Sequence, residues 1–140
     1  MAVDPSTGEF DIERYVAVDD CGVRVNPRIV EGQVHGGVAQ GIGQARSERA
    51  TYDEDGRLAA ATMLDYALPR AGDLPDIETR AKETPSPDNE LGVRGIGEGG
   101  TVAAPPAVVN AVVDALPGVD HVDMPLTAEA VRTAAKNAEN

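Results

Sequence analysis

Apolar residues recur at helical spacing through the second quarter of the chain, where Val30, Val34, Val38, Ile42 and Ala45 fall on one stripe. Asn26 is a good N-cap and Pro27 a good first helical residue, so the pattern predicts a helix from Pro27 to about Glu48. Five glycines lie inside it (Gly32, Gly36, Gly37, Gly41 and Gly43), each costing about 1 kcal/mol against alanine in a helix interior. Close approach of another backbone or of a ligand would offset that cost. A second stripe, Gln33, Gly37, Gln40 and Gln44, runs beside the apolar one. It leaves two readings: a helix packed on a sheet through its glycines, or a face with Gln33 turned to a ligand.

Alternation with period two places Phe10, Ile12, Val16 and Val18 on one face of a strand, with Arg14 interrupting it. Before it, Asp4-Pro-Ser-Thr-Gly8 supplies turn chemistry after a strand of only three residues. A chain beginning halfway through a hairpin reads as a piece of something larger. Downstream, Ala50 to Met63 predicts a hairpin turned by Asp55-Gly56, and Asp76 to Lys82 a strand. A helix follows Pro105-Pro106 from Ala107 to Leu116, Val119 to Met124 predicts a short strand, and Thr127 caps a last helix over Ala128 to Ala138. Strands, a long glycine-rich helix, more strands and two later helices describe an α+β fold with a mixed sheet. At 140 residues the whole chain, 1–140, is one domain's worth.

Aromatic residues are only 3% of the chain and Trp is absent, so the core is built from Val, Ile, Leu and Ala. With 24 acidic and 12 basic residues the net charge is -12, which disfavours nucleic acid and anionic membrane surfaces as partners. A single cysteine, Cys21, excludes an internal disulfide and any CxxC motif. With no apolar run of membrane-spanning length and no basic-then-apolar leader, the expected location is the cytoplasm.

The densest chemistry lies in Leu91-Gly-Val-Arg-Gly-Ile-Gly-Glu-Gly-Gly-Thr-Val-Ala-Ala-Pro-Pro106, where Gly95, Gly97, Gly99 and Gly100 crowd Glu98. Glycines allow positive φ and let the backbone lie against a ligand. Gly95 to Gly100 formally matches GxGxxG, but no strong apolar strand precedes it and no second βαβ strand follows. His35 and His121 lack spaced partner acids, which argues against a triad or a protein-held metal. Asp53-Glu-Asp55 lacks the later acid of a calcium loop and reads as a solvated turn. For Glu98 the spacing leaves open a turn-solvating loop acid and a base set among glycine and alanine.

Several stretches in the same order carry a resemblance: Asp19-Asp-Cys-Gly22, Asn26-Pro27, Glu31-Gly-Gln-Val-His-Gly-Gly-Val-Ala-Gln-Gly-Ile-Gly-Gln44, Asp65-Tyr-Ala-Leu-Pro69, Glu83-Thr-Pro-Ser-Pro87 and Gly92 to Pro106. From about Val3 to Ala135 the chain resembles the C-terminal part of the molybdenum hydroxylase large subunit, the family of xanthine dehydrogenase, aldehyde oxidoreductase and aerobic carbon monoxide dehydrogenase. The resemblance implies that Glu98 is the base that deprotonates a molybdenum-bound hydroxyl in the oxidation of an aldehyde, an N-heterocycle or carbon monoxide. It implies that Gln33 lies beside the molybdenum centre and that the backbone of Arg94, Gly95, Ile96 and Gly97 lines the pterin. The implied cofactor is molybdopterin in its cytosine dinucleotide form. The implied partners are the rest of the large subunit with iron-sulfur and flavin subunits, and the isolated chain is expected to hold no cofactor. Family large subunits are several times longer, so the expectation is a segment of a complex, inactive alone. The alternative is a free-standing, inactive remnant that acts as an interaction module, paired with another polypeptide or with itself.

Overall fold

The computed structural model describes residues 1–138. Strand β1 (Ala2–Val3) pairs antiparallel with β2 (Phe10–Asp11), and β3 (Tyr15–Asp19) pairs parallel with β4 (Ile77–Ala81) in the register Tyr15 to Ile77 through Asp19 to Ala81. Between the last two runs helix α1 (Pro27–Arg46). Helix α2 (Gly99–Val102) is a single turn, followed by α3 (Ala104–Asp114) and α4 (Ala128–Ala138). The α+β class expected from the pattern is the class observed, with the strands divided into one antiparallel and one parallel pair.

Helix α1 begins as its sequence predicts. Asn26 Oδ1 accepts the amides of Arg28 at 3.2 Å and Ile29 at 3.3 Å, satisfying donors that have no partner in a first helical turn. Its stripe Val34, Val38, Ile42 and Ala45 is buried and meets Val108 and Val112 of α3, Leu126, and Val131 of α4 in one core. The amides of Ser47 and Glu48 both reach back to Gly43 O at 2.9 Å and close the helix near the expected end. Thr127 Oγ1 accepts the Ala130 amide at 3.2 Å, the cap expected for α4.

Three expectations change. Phe10 and Ile12 do face the core, but Val16 and Val18 turn away and are 45% and 65% exposed, while Tyr15 and Ala17 face inward. The chain leaves strand geometry between Asp11 and Tyr15, where Arg14 sits, and that break shifts the phase by one residue. The predicted hairpin from Ala50 to Met63 is reduced to one antiparallel bridge between Tyr52 and Leu58, because its polar faces offer little to bury. Val119 and Val122 enter the core from an irregular segment rather than a strand, since among the described residues no strand pairs with it.

The glycines of α1 divide by what surrounds them. A Cβ on Gly37 would sit 2.9 Å from the Thr101 amide nitrogen, and one on Gly41 would sit 2.5 Å from Ala104 Cβ. From the other side, a Cβ on Gly100 would meet Val34 O at 2.4 Å and Val38 N at 3.1 Å. Helix α1 therefore packs on α2 and the start of α3 backbone against backbone, where the sequence suggested packing on a sheet. Gly32 and Gly36 face open space. Gly100→Ala should accordingly destabilise the chain by about 1–3 kcal/mol through overpacking, whereas Gly32→Ala should be neutral or stabilise it by up to about 1 kcal/mol. Paired urea denaturation curves check both, and equal effects would contradict this division.

Candidate functional site

The turn after β3 is the foundation of the glycine loop. Asp20 Oδ1 accepts the amides of Gly22 and Thr84, both at 3.0 Å, and Arg24 Nε donates to Glu83 Oε1 at 2.7 Å. Gly22 bridges Val93, Gly92 O accepts the amides of Val23 and Ser86 at 3.0 Å, and the Arg94 amide donates to Cys21 O at 2.9 Å. Positive φ at Gly22 (68°) and Gly92 (65°) permits this crossing, and a Cβ on Gly22 would fall 2.3 Å from Gly92 O. Segment 83–94 is thereby tied to the end of β3. It delivers Arg94 to a fixed place.

From Arg94 the chain runs exposed through Gly95, Gly97 and Glu98, with Ile96 dipping against the core as an anchor. The Gly99 amide closes a turn on Ile96 O at 2.7 Å, and Thr101 and Val102 return their amides to Glu98 O at 2.9 and 3.1 Å. Thr101 Oγ1 donates to Gly37 O at 3.0 Å. Gln33 reaches from α1 and donates its Nε2 to Gly97 O at 2.6 Å, next to Glu98 in the chain. Of the residues singled out by sequence, the structure thus joins Gln33 directly to Gly97, sets Glu98 immediately after that contact, and holds Arg94 by its backbone.

Two properties of the loop bear on what it could hold. Nothing lies within 4 Å of where a side chain on Gly95 or Gly97 would begin, so no packing within the chain demands glycine at Gly95; Gly97 has φ +39°. Among the described residues, the amides of Gly95, Ile96, Gly97 and Glu98 have no acceptor within the chain. Four successive donors without an acceptor in the chain, two of them on glycines, fit an electron-rich, anionic cofactor approaching from outside. Glu98 itself is exposed and its carboxylate has no partner within the described chain, so the apolar surroundings expected from its glycine and alanine neighbours are not supplied by this chain.

Other candidates resolve into structural roles. His35 Nε2 lies 3.1 Å from Ile77 O and joins α1 to β4, while His121 sits 2.9 Å from Asp123 at the surface. Cys21 is buried. Asp53 Oδ1 accepts the amides of Asp55 and Arg57 at 3.0 and 2.8 Å, the solvated turn expected there. Among the described residues no group of three or more His, Cys, Asp or Glu could hold a metal ion, and no helix is long and apolar enough to cross a membrane. The sequence marks Asp19-Asp20-Cys21-Gly22 as a turn closing the strand but assigns Asp20 no role, and its bond to the distant Thr84 amide carries no local signal.

The loop presents four backbone amides and one carboxylate on an exposed face of the chain. The chain matches the family model described as "Molybdopterin cofactor-binding domain" over residues 1–75. It is 46% identical over 138 residues to the nicotine 6-hydroxylase large subunit of Paenarthrobacter nicotinovorans, covering 97% of this chain and 17% of that protein. It is 43% identical over 127 residues to the carbon monoxide dehydrogenase large chain of Hydrogenophaga pseudoflava, covering 89% and 16% respectively. A solved Cu,Mo-CO dehydrogenase in its carbon monoxide reduced state superposes with a TM-score of 0.91 at 37% identity, over 98% of this chain and 18% of that one. The chain belongs to the molybdopterin-binding domain family of the xanthine dehydrogenase and carbon monoxide dehydrogenase type. It spans 16–17% of the length of these two curated relatives.

The hydrogen bonds from Thr84, then that from the Gly22 amide, hold the Asp20 carboxyl at about 2, below its ordinary 3.8. A carboxyl depressed by folding stabilises the fold above its unfolded value and loses that contribution as pH falls through the folded one. The protection factor of the Thr84 amide, the observed rate divided into the intrinsic one at each pH, should therefore stay level above about pH 4 and fall between 3.8 and about 2. In Asp20→Asn that pH dependence should be absent, as hydrogen-exchange NMR would show.

Proposed function

We propose that the chain is the C-terminal, cofactor-facing domain, residues 1–140, of a molybdopterin-dependent hydroxylase large subunit, and that Glu98 is its catalytic base. The observation that carries this reading is the 2.6 Å bond from Gln33 to Gly97 O, which pins the residue before Glu98 to the long helix α1. Molybdopterin, in the cytosine dinucleotide form that the resemblance implies, would supply the two-electron redox chemistry. The residues of this chain do the remaining work. The amides from Gly95 to Glu98 bind and orient the cofactor, Gln33 fixes the loop, and Arg94 starts the strip from its anchor on Cys21 O. Glu98 accepts the proton released as oxygen passes to the carbon of a small substrate, an aldehyde, an N-heterocycle or carbon monoxide.

The remaining large-subunit polypeptide and the iron-sulfur and flavin subunits complete the enzyme in the cytoplasm. Relatives named as a large subunit, a large chain and a complex subunit gamma support assembly of this kind. Exposure of Glu98 supports it as well, because a base works best where its surroundings tune its proton affinity, and those surroundings lie outside this chain. In the assembled enzyme Glu98→Gln should lower kcat by about 10²–10⁴-fold while molybdenum content is retained. Normal turnover in that variant would remove Glu98 from the mechanism. The isolated chain should carry no molybdenum by elemental analysis, and a stoichiometric amount would refute the shared-site reading.

A further inference from the structure

We propose that Thr101 is a positioning residue for Glu98, holding the acid in place through a hydroxyl bond to α1 without touching substrate; this rests on the functional reading above. Glu98 occupies the N-cap position of α2 with φ -96° and ψ 16°, in the narrow bridge between helical and extended backbone. At an N-cap a side-chain oxygen ordinarily accepts an amide of the first helical turn. Glu98 makes no such bond. Its carboxylate is left for other chemistry, and a helix of a single turn goes without its cap. Something else must hold the turn.

Two bonds to α1 do so, one on each side of the acid. Before it, Gln33 Nε2 donates to Gly97 O at 2.6 Å. After it, the Thr101 amide donates to Glu98 O at 2.9 Å while the Thr101 hydroxyl donates to Gly37 O at 3.0 Å. Gln33 and Gly37 are one helical turn apart on α1, and Gly97 and Thr101 stand on either side of Glu98, so the two bonds act as a matched pair. Together they fix both peptide groups that flank the Glu98 Cα. The side-chain torsions are the freedom that remains.

The hydroxyl bond is not the local one usual for threonine. In a helical turn threonine tends to bond the carbonyl four residues back. Here that carbonyl is Gly97 O, which accepts Gln33, and Thr101 crosses to a helix 64 residues away in the chain. The crossing is closely fitted, since a Cβ on Gly37 would lie 2.9 Å from the Thr101 nitrogen and 3.0 Å from its Oγ1. Thr101 is half-buried and Gly37 buried, which limits competition from water for the bond.

The test compares Thr101→Val, which replaces the hydroxyl by a methyl group, with Thr101→Ser, which keeps it, in the assembled molybdenum enzyme and in the chain alone. In the enzyme Thr101→Val should lower kcat by about 10–100-fold with KM and molybdenum content unchanged, as expected when a reacting group is displaced by about 1 Å. Thr101→Ser should stay within about 3-fold of the parent. In the Glu98→Gln background Thr101→Val should lower the residual turnover by less than about 2-fold, because a residue that acts through Glu98 then has nothing to position. In the chain alone, the protection factor of the Val102 amide, which donates to Glu98 O, should fall about 10-fold in Thr101→Val and hold in Thr101→Ser. Should Thr101→Val not fold, Thr101→Ala set against Thr101→Ser makes the same comparison. Normal kcat in Thr101→Val beside an impaired Glu98→Gln would overturn the positioning role and leave the functional reading standing. An equal loss in both backgrounds would assign Thr101 to general folding and overturn the role too. Normal turnover in Glu98→Gln would sink the functional reading and this role together.

Discussion

Backbone contact between α1 and α2 is the constraint on which the rest of the molecule depends. Gly37 and Gly100 allow two main chains to meet with no side chain between them, and the Thr101 hydroxyl donates to Gly37 O at 3.0 Å across the contact. Because α2 is one turn long, it has no independent stability and is held by what it touches. The loop before it inherits that position. Gln33, one turn earlier on α1 than Gly37, closes the same contact by bonding Gly97 O. Helix α1 is thus both the centre of the core and the frame of the loop.

The glycines explain why one sequence can do both. Gly37, Gly41 and Gly100 are consumed by packing, since a Cβ at each would fall within about 3 Å of backbone or core atoms. Gly95 and Gly97 are not, and they leave an exposed strip whose amides find no acceptor in the chain. Close packing therefore sets the height of the loop above the helix, and open glycines set what can approach it. A side chain at the first group would move the loop. At Gly95 it would leave the loop in place and obstruct its outer face.

Much of the fold was legible because local chemistry and packing agree. Asn26 and Pro27 marked the start of α1, the stripe from Val34 to Ala45 marked its buried face, and Thr127 marked the start of α4. Sequence periodicity failed where tertiary context decides. Val16 and Val18 look like core residues from Phe10 and Ile12 onward, yet a break near Arg14 reverses the phase. Val119 and Val122 are buried as their apolarity suggests, but a strand needs a partner and among the described residues none pairs with them. At the site, the glycine density around Glu98 was visible, whereas its bond network was not. Asp20 holds that region through two amides, one of them far away in the sequence at Thr84.

Exposure of Glu98 decides how the site must be understood. A carboxylate in water is a weak base at neutral pH, and only desolvation or a nearby negative charge raises its proton affinity toward the working range. Among the described residues Glu98 is exposed, follows an open glycine and has no side-chain partner. What the chain does supply is position, through Gln33, the α1–α2 contact and the turn at Asp20. On the proposed reading the segment contributes a placed acid, and polypeptide and cofactor covering the loop would exclude water from it.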